Sequence, residues 1–208
     1  MIREISTLLP KNADELIASS DRQDTQLCTL STESRQLLQR YPTEDALLRY
    51  YSPDNLLAFT QQRFIDRCYF GIAPTLVTVA QTFGEHTSIA FLIPMIVYIV
   101  ERFGGNDKMQ PGDIEDLAVQ LYGKCYDLKL SELLLYFRRV LDCDYGAPYG
   151  APRAPYFLTC LGRFRQQRIV AIEEEESRLR ALQREEAARR AVPPPEHCWL
   201  DEMKMKRM

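Results

Sequence analysis

Apolar residues recur at helical spacing through the middle of the chain and thin out toward both ends. Ile114, Leu117, Ala118, Leu121, Tyr122 and Cys125 fall on one side of a 3.6-residue spiral, and so do Leu130, Leu133, Leu134, Phe137, Val140 and Leu141. No comparable run alternates apolar and polar residues between turn signals, so the pattern predicts an all-α chain without a sheet. Ser52-Pro53-Asp54 reads as a helix start: a serine cap, a proline whose missing N–H is no loss in the first turn, and an early acid. Ala73-Pro74-Thr75 opens the next helix in the same way, with Gly84 at its left-handed C-terminal position. Gly104-Gly105 closes the apolar helix that follows, and Asp113 with Asp116 opens another. These signals predict a compact helical bundle over residues 35–165, preceded by a polar, weakly periodic and loosely ordered arm over residues 1–34.

Pro155 begins a segment with no further proline until Pro193, which predicts one long helix over residues 155–191 and then a tail, residues 192–208. Tyr156, Phe157, Leu158, Leu161 and Phe164 are apolar enough to dock its first turns on the bundle. The remainder, RQQRIVAIEEEESRLRALQREEAARR, is mostly charge. Glu174–Arg178, Glu176–Arg180, Glu185–Arg189 and Glu186–Arg190 stand four apart, each pair adding ~0.2–0.5 kcal/mol to a helix. Ile172, Leu179 and Leu182 form a broken heptad seam, too thin for a strong coiled coil but sufficient to dock on a partner.

Between bundle and helix lies YGAPYGAPRAPYF, Tyr145 to Phe157. Each Ala-Pro step pushes Ala147, Ala151 and Ala154 toward extended backbone, and Gly146 and Gly150 can take positive φ. The stretch reads as a stiff connector that delivers Pro155 to the first position of the last helix. Tyr145, Tyr149 and Tyr156 are expected to fold back over the end of the bundle, with Tyr149 also a candidate contact for a partner.

Composition changes this picture little. The chain has 208 residues, 46% hydrophobic and 26% charged, with a formal charge of -3 that gives no general attraction to nucleic acid or anionic membrane. The first twenty residues carry Glu4 and Asp14 and no uninterrupted apolar run, unlike a secretory signal. The most apolar stretch, Ile89 to Val100, is interrupted by Pro94 and is about half the ~20 residues of a spanning helix, so it is expected to be a buried helix. Six cysteines are scattered without a C-x-x-C pair, the pattern of reduced thiols in a cytoplasmic protein rather than of a zinc site.

Chemistry-bearing motifs are sparse. TLVTVAQTFGEHTSIAFLI, Thr75 to Ile93, meets the first half of a helix-turn-helix pattern with Val79, Ala80, Phe83 and Gly84. Glu85 and Ala90 break the second half, and only His86, Thr87 and Ser88 are polar before the face turns apolar, so a core role is expected. His86 has no evident nucleophile or orienting partner, and the acid pairs Asp113/Asp116 and Asp142/Asp144 are accounted for at helix ends. No phosphate loop, dinucleotide fingerprint or nucleophile elbow occurs. Arg163, Arg165 and Arg168 stand beside Tyr156, Phe157 and Phe164, a mixture able to neutralise phosphates and stack on bases, and form a candidate nucleic-acid surface.

SELLLYFRRVLDCDYGAPYGAPRAPYFLTCLGRFRQQR, Ser131 to Arg168, resembles the C-terminal signature of a family of small uncharacterised proteins from gut Bacteroidota and their phages and mobile elements. In that family an E-L-hydrophobic-hydrophobic-x-F helix precedes a Tyr-Gly-rich turn, a proline-started helix and an Arg-ended face. RCYFGIAPTLVTVAQTFGEHTSIAFLI, Arg67 to Ile93, is similar to the family's other segment. The resemblance covers roughly residues 67–168 and departs where Arg153-Ala154-Pro155 replaces an Asp-Pro turn. It implies a mobile-element setting and carries over neither an activity nor a functional residue.

The expectation is therefore a non-enzymatic, cytoplasmic accessory protein that binds another protein, either itself or a component of the same element. The partner-binding candidates are Ile172, Leu179, Leu182 and Tyr149. Weak nucleic-acid binding through Arg163, Arg165 and Arg168 is the alternative. No catalytic or metal residue, cofactor, membrane contact or small-molecule substrate is indicated. Far-ultraviolet circular dichroism should show a helical spectrum and a melt that neither chelator nor reductant alters. A strand-dominated spectrum, or unfolding on adding either reagent, would contradict this reading.

Overall fold

The computed structural model describes residues 31–61, 64–103 and 109–190. It divides the chain into two compact units, Met1–Phe164 and Arg165–Met208. Within the first, α1 (Thr32–Arg40) and α2 (Glu44–Tyr50) lead through a 3₁₀ turn (Pro53–Asn55) into α3 (Leu56–Phe59) and α4 (Ile65–Phe70). Then come α5 (Leu76–Phe83), α6 (Glu85–Phe103), α7 (Pro111–Cys125), α8 (Leu130–Leu141) and the start of α9 (Ala154–Arg190). Among the described residues the fold is all-α, and the one extended pairing is an antiparallel bridge between Thr75 and Lys129.

α8 lies at the centre, against α3, α4 and α6. Spacing alone suggests a one-sided stripe. Instead Leu130 through Phe137 are buried without a break, Ser131, Glu132 and Tyr136 included. Such a helix must satisfy its polar groups inside the protein. Its first N–H donates from Leu130 to the Pro74 carbonyl at 2.9 Å, and the Lys129 N–H donates to the Glu132 carboxylate at 2.9 Å. The Leu76 and Val77 amides of α5 donate in return to the Leu128 and Tyr126 carbonyls, each at 3.0 Å. The Lys129 ammonium donates to the Tyr69 and Gly71 carbonyls, both at 2.9 Å, closing the end of α4. The Ser131 hydroxyl adds a 2.8 Å bond to the Cys68 carbonyl. Gly71 fits here because a Cβ would stand 2.2 Å from the Arg67 carbonyl oxygen.

α6 is, among the described residues, a helix long and apolar enough to cross a membrane by length and composition, with a mean hydropathy of 1.3. Phe91, Leu92, Met95, Ile96, Ile99 and Val100 are buried, and the helix packs on α5, α7 and α8, as a core helix does. Pro94 does not interrupt it. The proline is exposed, on the side where a backbone carbonyl left without its helical partner costs least.

Several sequence expectations need correction. The arm is shorter than residues 1–34, because Ser31 caps α1 by accepting the Ser34 N–H at 3.1 Å; residues 1–30 lie outside the described residues. Ser52-Pro53-Asp54 begins only a 3₁₀ turn, without a serine cap bond. At Ala73-Pro74-Thr75 the cap is Thr75, whose hydroxyl accepts the Thr78 N–H, and Pro74 precedes the helix. Gly84 has positive φ (104°) but extended ψ (156°) rather than a left-handed turn. α7 begins at Pro111 behind Gln110, with Asp113 in its first turn. Gly104-Gly105 and the 192–208 tail lie outside the described residues.

The connector matches its sequence in Gly146 (φ 94°) and Gly150 (φ 81°), and departs from it at Ala154, the first helical residue, which leaves Pro155 second. Tyr145 is buried and the Tyr156 hydroxyl donates to the Gly146 carbonyl at 2.9 Å, whereas Tyr149 stands fully exposed. Below them the Tyr136 hydroxyl donates to the Phe157 carbonyl at 2.8 Å, and Phe164 stacks on Tyr69 at 6.2 Å between ring centroids. The second unit is described by the remainder of α9, where Arg178 meets Glu175 at 2.7 Å and Arg180 meets Glu176 at 2.8 Å. Arg189–Glu185 and Arg190–Glu186 stand at 4.0 and 3.8 Å.

Two substitutions separate the junction from ordinary helix surface. Lys129→Met leaves two carbonyls without their cation and should lower unfolding free energy by about 1–3 kcal/mol. Gly123→Ala, at an exposed helical site where an added Cβ meets nothing within 4 Å, should raise it by about 1 kcal/mol. Urea unfolding measures both; equal effects would show that Lys129 is not a junction.

Candidate functional site

The dipeptide Arg-Tyr ends both of the first two helices. α1 finishes at Arg40 with Tyr41 as its cap residue, and α2 finishes at Tyr50 with Tyr51 as its cap residue. The two ends bring three tyrosines together: Tyr41–Tyr50 at 5.3 Å, Tyr41–Tyr51 at 6.0 Å and Tyr50–Tyr51 at 5.0 Å between centroids. Phe59 of α3 adds an edge contact to Tyr50 at 5.1 Å and a stack on Tyr51 at 5.5 Å. Between this cluster, Phe64 and Arg67 of α4, and the link Gly71–Ala73 opens a cleft of about 510 Å³, with Ser131 also in its lining.

The polar groups of the cleft are held in place. Arg40 Nη1 donates to the Ile72 carbonyl at 3.0 Å, and the Arg67 guanidinium lies over the Phe64 ring at 4.8 Å. Burial raises the Tyr41 and Tyr51 phenols above their ordinary range, so both remain protonated through neutral pH. Burial also pushes the Cys68 thiol up to about 11, and its Sγ donates to the Phe59 carbonyl at 3.5 Å. A nucleophilic thiolate is therefore disfavoured at Cys68. A second cleft of about 300 Å³ runs along α1 past Glu33, Gln36, Thr75 and Lys129 and shares Arg40 and Ile72 with the first. A third, of about 580 Å³, is lined by Arg138, Arg139, Asp142 and Asp144, of which Arg138 and Asp142 pair with each other.

His86 does have companions. Its Nε2 stands 3.1 Å from Glu44 Oε2, and the Thr87 hydroxyl donates to the same oxygen at 2.6 Å. The Thr87 bond is the main cause that holds the Glu44 carboxyl below its ordinary range. Thr87 is buried and its hydroxyl is committed to the carboxylate, so the trio ties α2 to α6 rather than presenting a nucleophile. Ser88 is buried too, with its hydroxyl on the Leu76 carbonyl at 3.1 Å. Thr87 and Ser88 thus take the core role expected of this stretch, and of its three polar residues only His86 is exposed.

The three arginines of the candidate nucleic-acid surface, Arg163, Arg165 and Arg168, all lie on α9. Arg163, in the first unit, donates to the Tyr145 carbonyl and thereby clamps the connector. Arg165 and Arg168 belong to the second unit, are half-buried, and have interactions of their own. Among the partner candidates, Leu179 (46% exposed) and Leu182 (47%) are open to solvent and Ile172 is half-buried. Ile169 and Val170 are equally exposed apolar residues that the heptad reading passed over. Tyr149 is exposed in the first unit. The aromatic cleft itself was missed, although the repeated Arg-Tyr of Arg40-Tyr41 and Arg49-Tyr50 marked it.

Among the described residues, no group of three His, Cys, Asp or Glu side chains gathers as a metal site would require. No family model, curated protein or solved structure matches the chain.

The raised Cys68 thiol has a definite pH signature. An unfolded thiol ionises near about 8.5, so the stability gained by keeping Cys68 neutral is fully present below that pH. It is lost as pH climbs toward about 11. Cys68→Ala should lose less stability than the parent across that window in denaturant titrations; identical slopes would show that the thiol is not held neutral.

Proposed function

We propose that the chain is a non-enzymatic accessory protein that works by binding another protein through the distal part of α9. The observation that carries this reading is the apolar set on that helix. At 100° per residue, Ile169, Ile172, Leu179 and Leu182 fall within about 140° of arc. Three of the four are about half exposed or more, and among the described residues of the second unit no other element lies over them. Helix-to-surface docking uses such i, i+3 and i+7 anchors, flanked here by Glu173–Glu176 and by Arg178 and Arg180. The partner is another protein, either a second copy of the chain or a component of the same genetic element. The cytoplasmic, phage or mobile-element setting implied by the family resemblance belongs to this proposal. Binding of nucleic acid is expected to be weak, because the net charge is negative and Arg163 is engaged with the connector.

Ending the chain at Glu173 tests the reading. Melting of the bundle should be almost unchanged, while the main intermolecular contact disappears in sedimentation velocity and in cross-linking within the native host. Leu179→Asp with Leu182→Asp in the full chain should have the same effect. A truncated chain that collapses, or one that keeps every contact of the parent, would overturn the proposal.

A further inference from the structure

We propose that the cleft between Tyr50 and Arg67 binds a small ligand in which a flat apolar group carries a carboxylate. The proposal stands apart from the α9 surface and rests on what lines the cleft. Its walls are aromatic: Tyr41, Tyr50, Tyr51, Phe59 and Phe64 all border it. Tyr50 is 47% exposed and Ile72, on the opposite wall, 80% exposed, so apolar surface at the rim is open to a ligand. A volume of about 510 Å³ lies in the range of small-molecule sites and exceeds what one ring and a carboxylate require.

The charge in the cleft has one sign. Arg40 and Arg67 line it and no Asp or Glu does so among the described residues. The Ile72 carbonyl fixes one guanidinium and the Phe64 ring fixes the other, so less side-chain freedom is lost on binding an anion. A planar guanidinium matches a carboxylate with two parallel N–H···O bonds. The lining touches two helix starts, Phe64 before the six-residue α4 and Ser131 in the first turn of α8, but the Ser131 hydroxyl is committed to the Cys68 carbonyl and no glycine-rich run of amides, typical of a phosphate site, borders the cleft. An ammonium ligand would find aromatic faces but also two guanidiniums repelling it. A carboxylate beside a ring is the chemistry that uses both walls.

Two sources supply that chemistry: a free aromatic acid, or an acidic residue next to an aromatic one in a peptide. The test uses the full chain and ligand-observed ¹⁹F NMR with 4-fluorophenylacetate, and 2-(4-fluorophenyl)ethylamine as the cationic counterpart. The acid should bind and the amine should not. Arg67→Gln and Tyr50→Ala, both at exposed positions, should each weaken binding by about tenfold or more. Arg67→Lys should recover part of the loss, and Val119→Ala on α7 should change nothing. Circular dichroism melts confirm that each variant is folded. Competition with acetyl-Asp-Phe-amide assigns the source: tighter binding than the acid points to a peptide, weaker binding to a free acid. Equal binding of the amine, binding indifferent to Arg67→Gln, or no binding of acid or peptide at about 10 mM would overturn the proposal.

Discussion

One lysine, through its ammonium group and the peptide groups beside it, joins three helices. Lys129 stands immediately before α8 and donates to two carbonyls at the end of α4, while the amides on either side of it exchange bonds with the start of α5. A helix buried on every side cannot leave its terminal donors to solvent, and here two helix starts satisfy each other across the Thr75–Lys129 bridge. Glu132, almost fully buried, supplies the remaining acceptor for the Lys129 amide. Removing a partner from such a network leaves buried polar groups unsatisfied, which costs more than the net value of the bonds themselves.

The same junction shapes the cleft. The link from α4 to α5 is pinned by two cations, Lys129 on the Gly71 carbonyl and Arg40 on the Ile72 carbonyl. It thereby becomes a fixed wall facing the tyrosine cluster, and Ser131 of α8 lines the space between. On the far side of α8, Tyr136 donates to the Phe157 carbonyl and packs edge-on to Phe164 at 5.7 Å, which seats the first turns of α9. Arg163 and Tyr156 then hold the carbonyls of Tyr145 and Gly146. The repeated Tyr-Gly-Ala-Pro phrase is thus clamped from the helix it launches, and Tyr149 alone of its tyrosines is left fully outside.

What could be read in advance was local. Helical spacing around Ile114–Cys125, the positive φ of Gly146 and Gly150, and the uninterrupted charged run after Phe164 each depend on neighbours a few residues apart. The junction depends on residues 69–71, 74–77 and 126–132, whose bonds appear only when α4, α5 and α8 meet. For that reason a stripe reading saw the leucines of α8 but not Ser131, Glu132 and Tyr136, polar residues that burial accommodates through specific partners. The buried helix expected around Pro94 is present, with the proline on its exposed side. The arginine cluster was plain in sequence, but the bond from Arg163 to the Tyr145 carbonyl of the connector exists only in the folded chain. The aromatic cleft was written in two Arg-Tyr steps that gain meaning only when two helix ends adjoin.

Native-state hydrogen exchange resolved by residue measures the central dependence on α8 and its junction directly. Amides of Leu133 to Phe137, together with Leu76, Val77 and Leu130, should exchange only through global unfolding and share one opening free energy. Amides between Glu174 and Arg190 should exchange far faster, as a helix without packed apolar cover does. Exchange of the junction amides by local opening, at rates like those of the distal helix, would contradict the account.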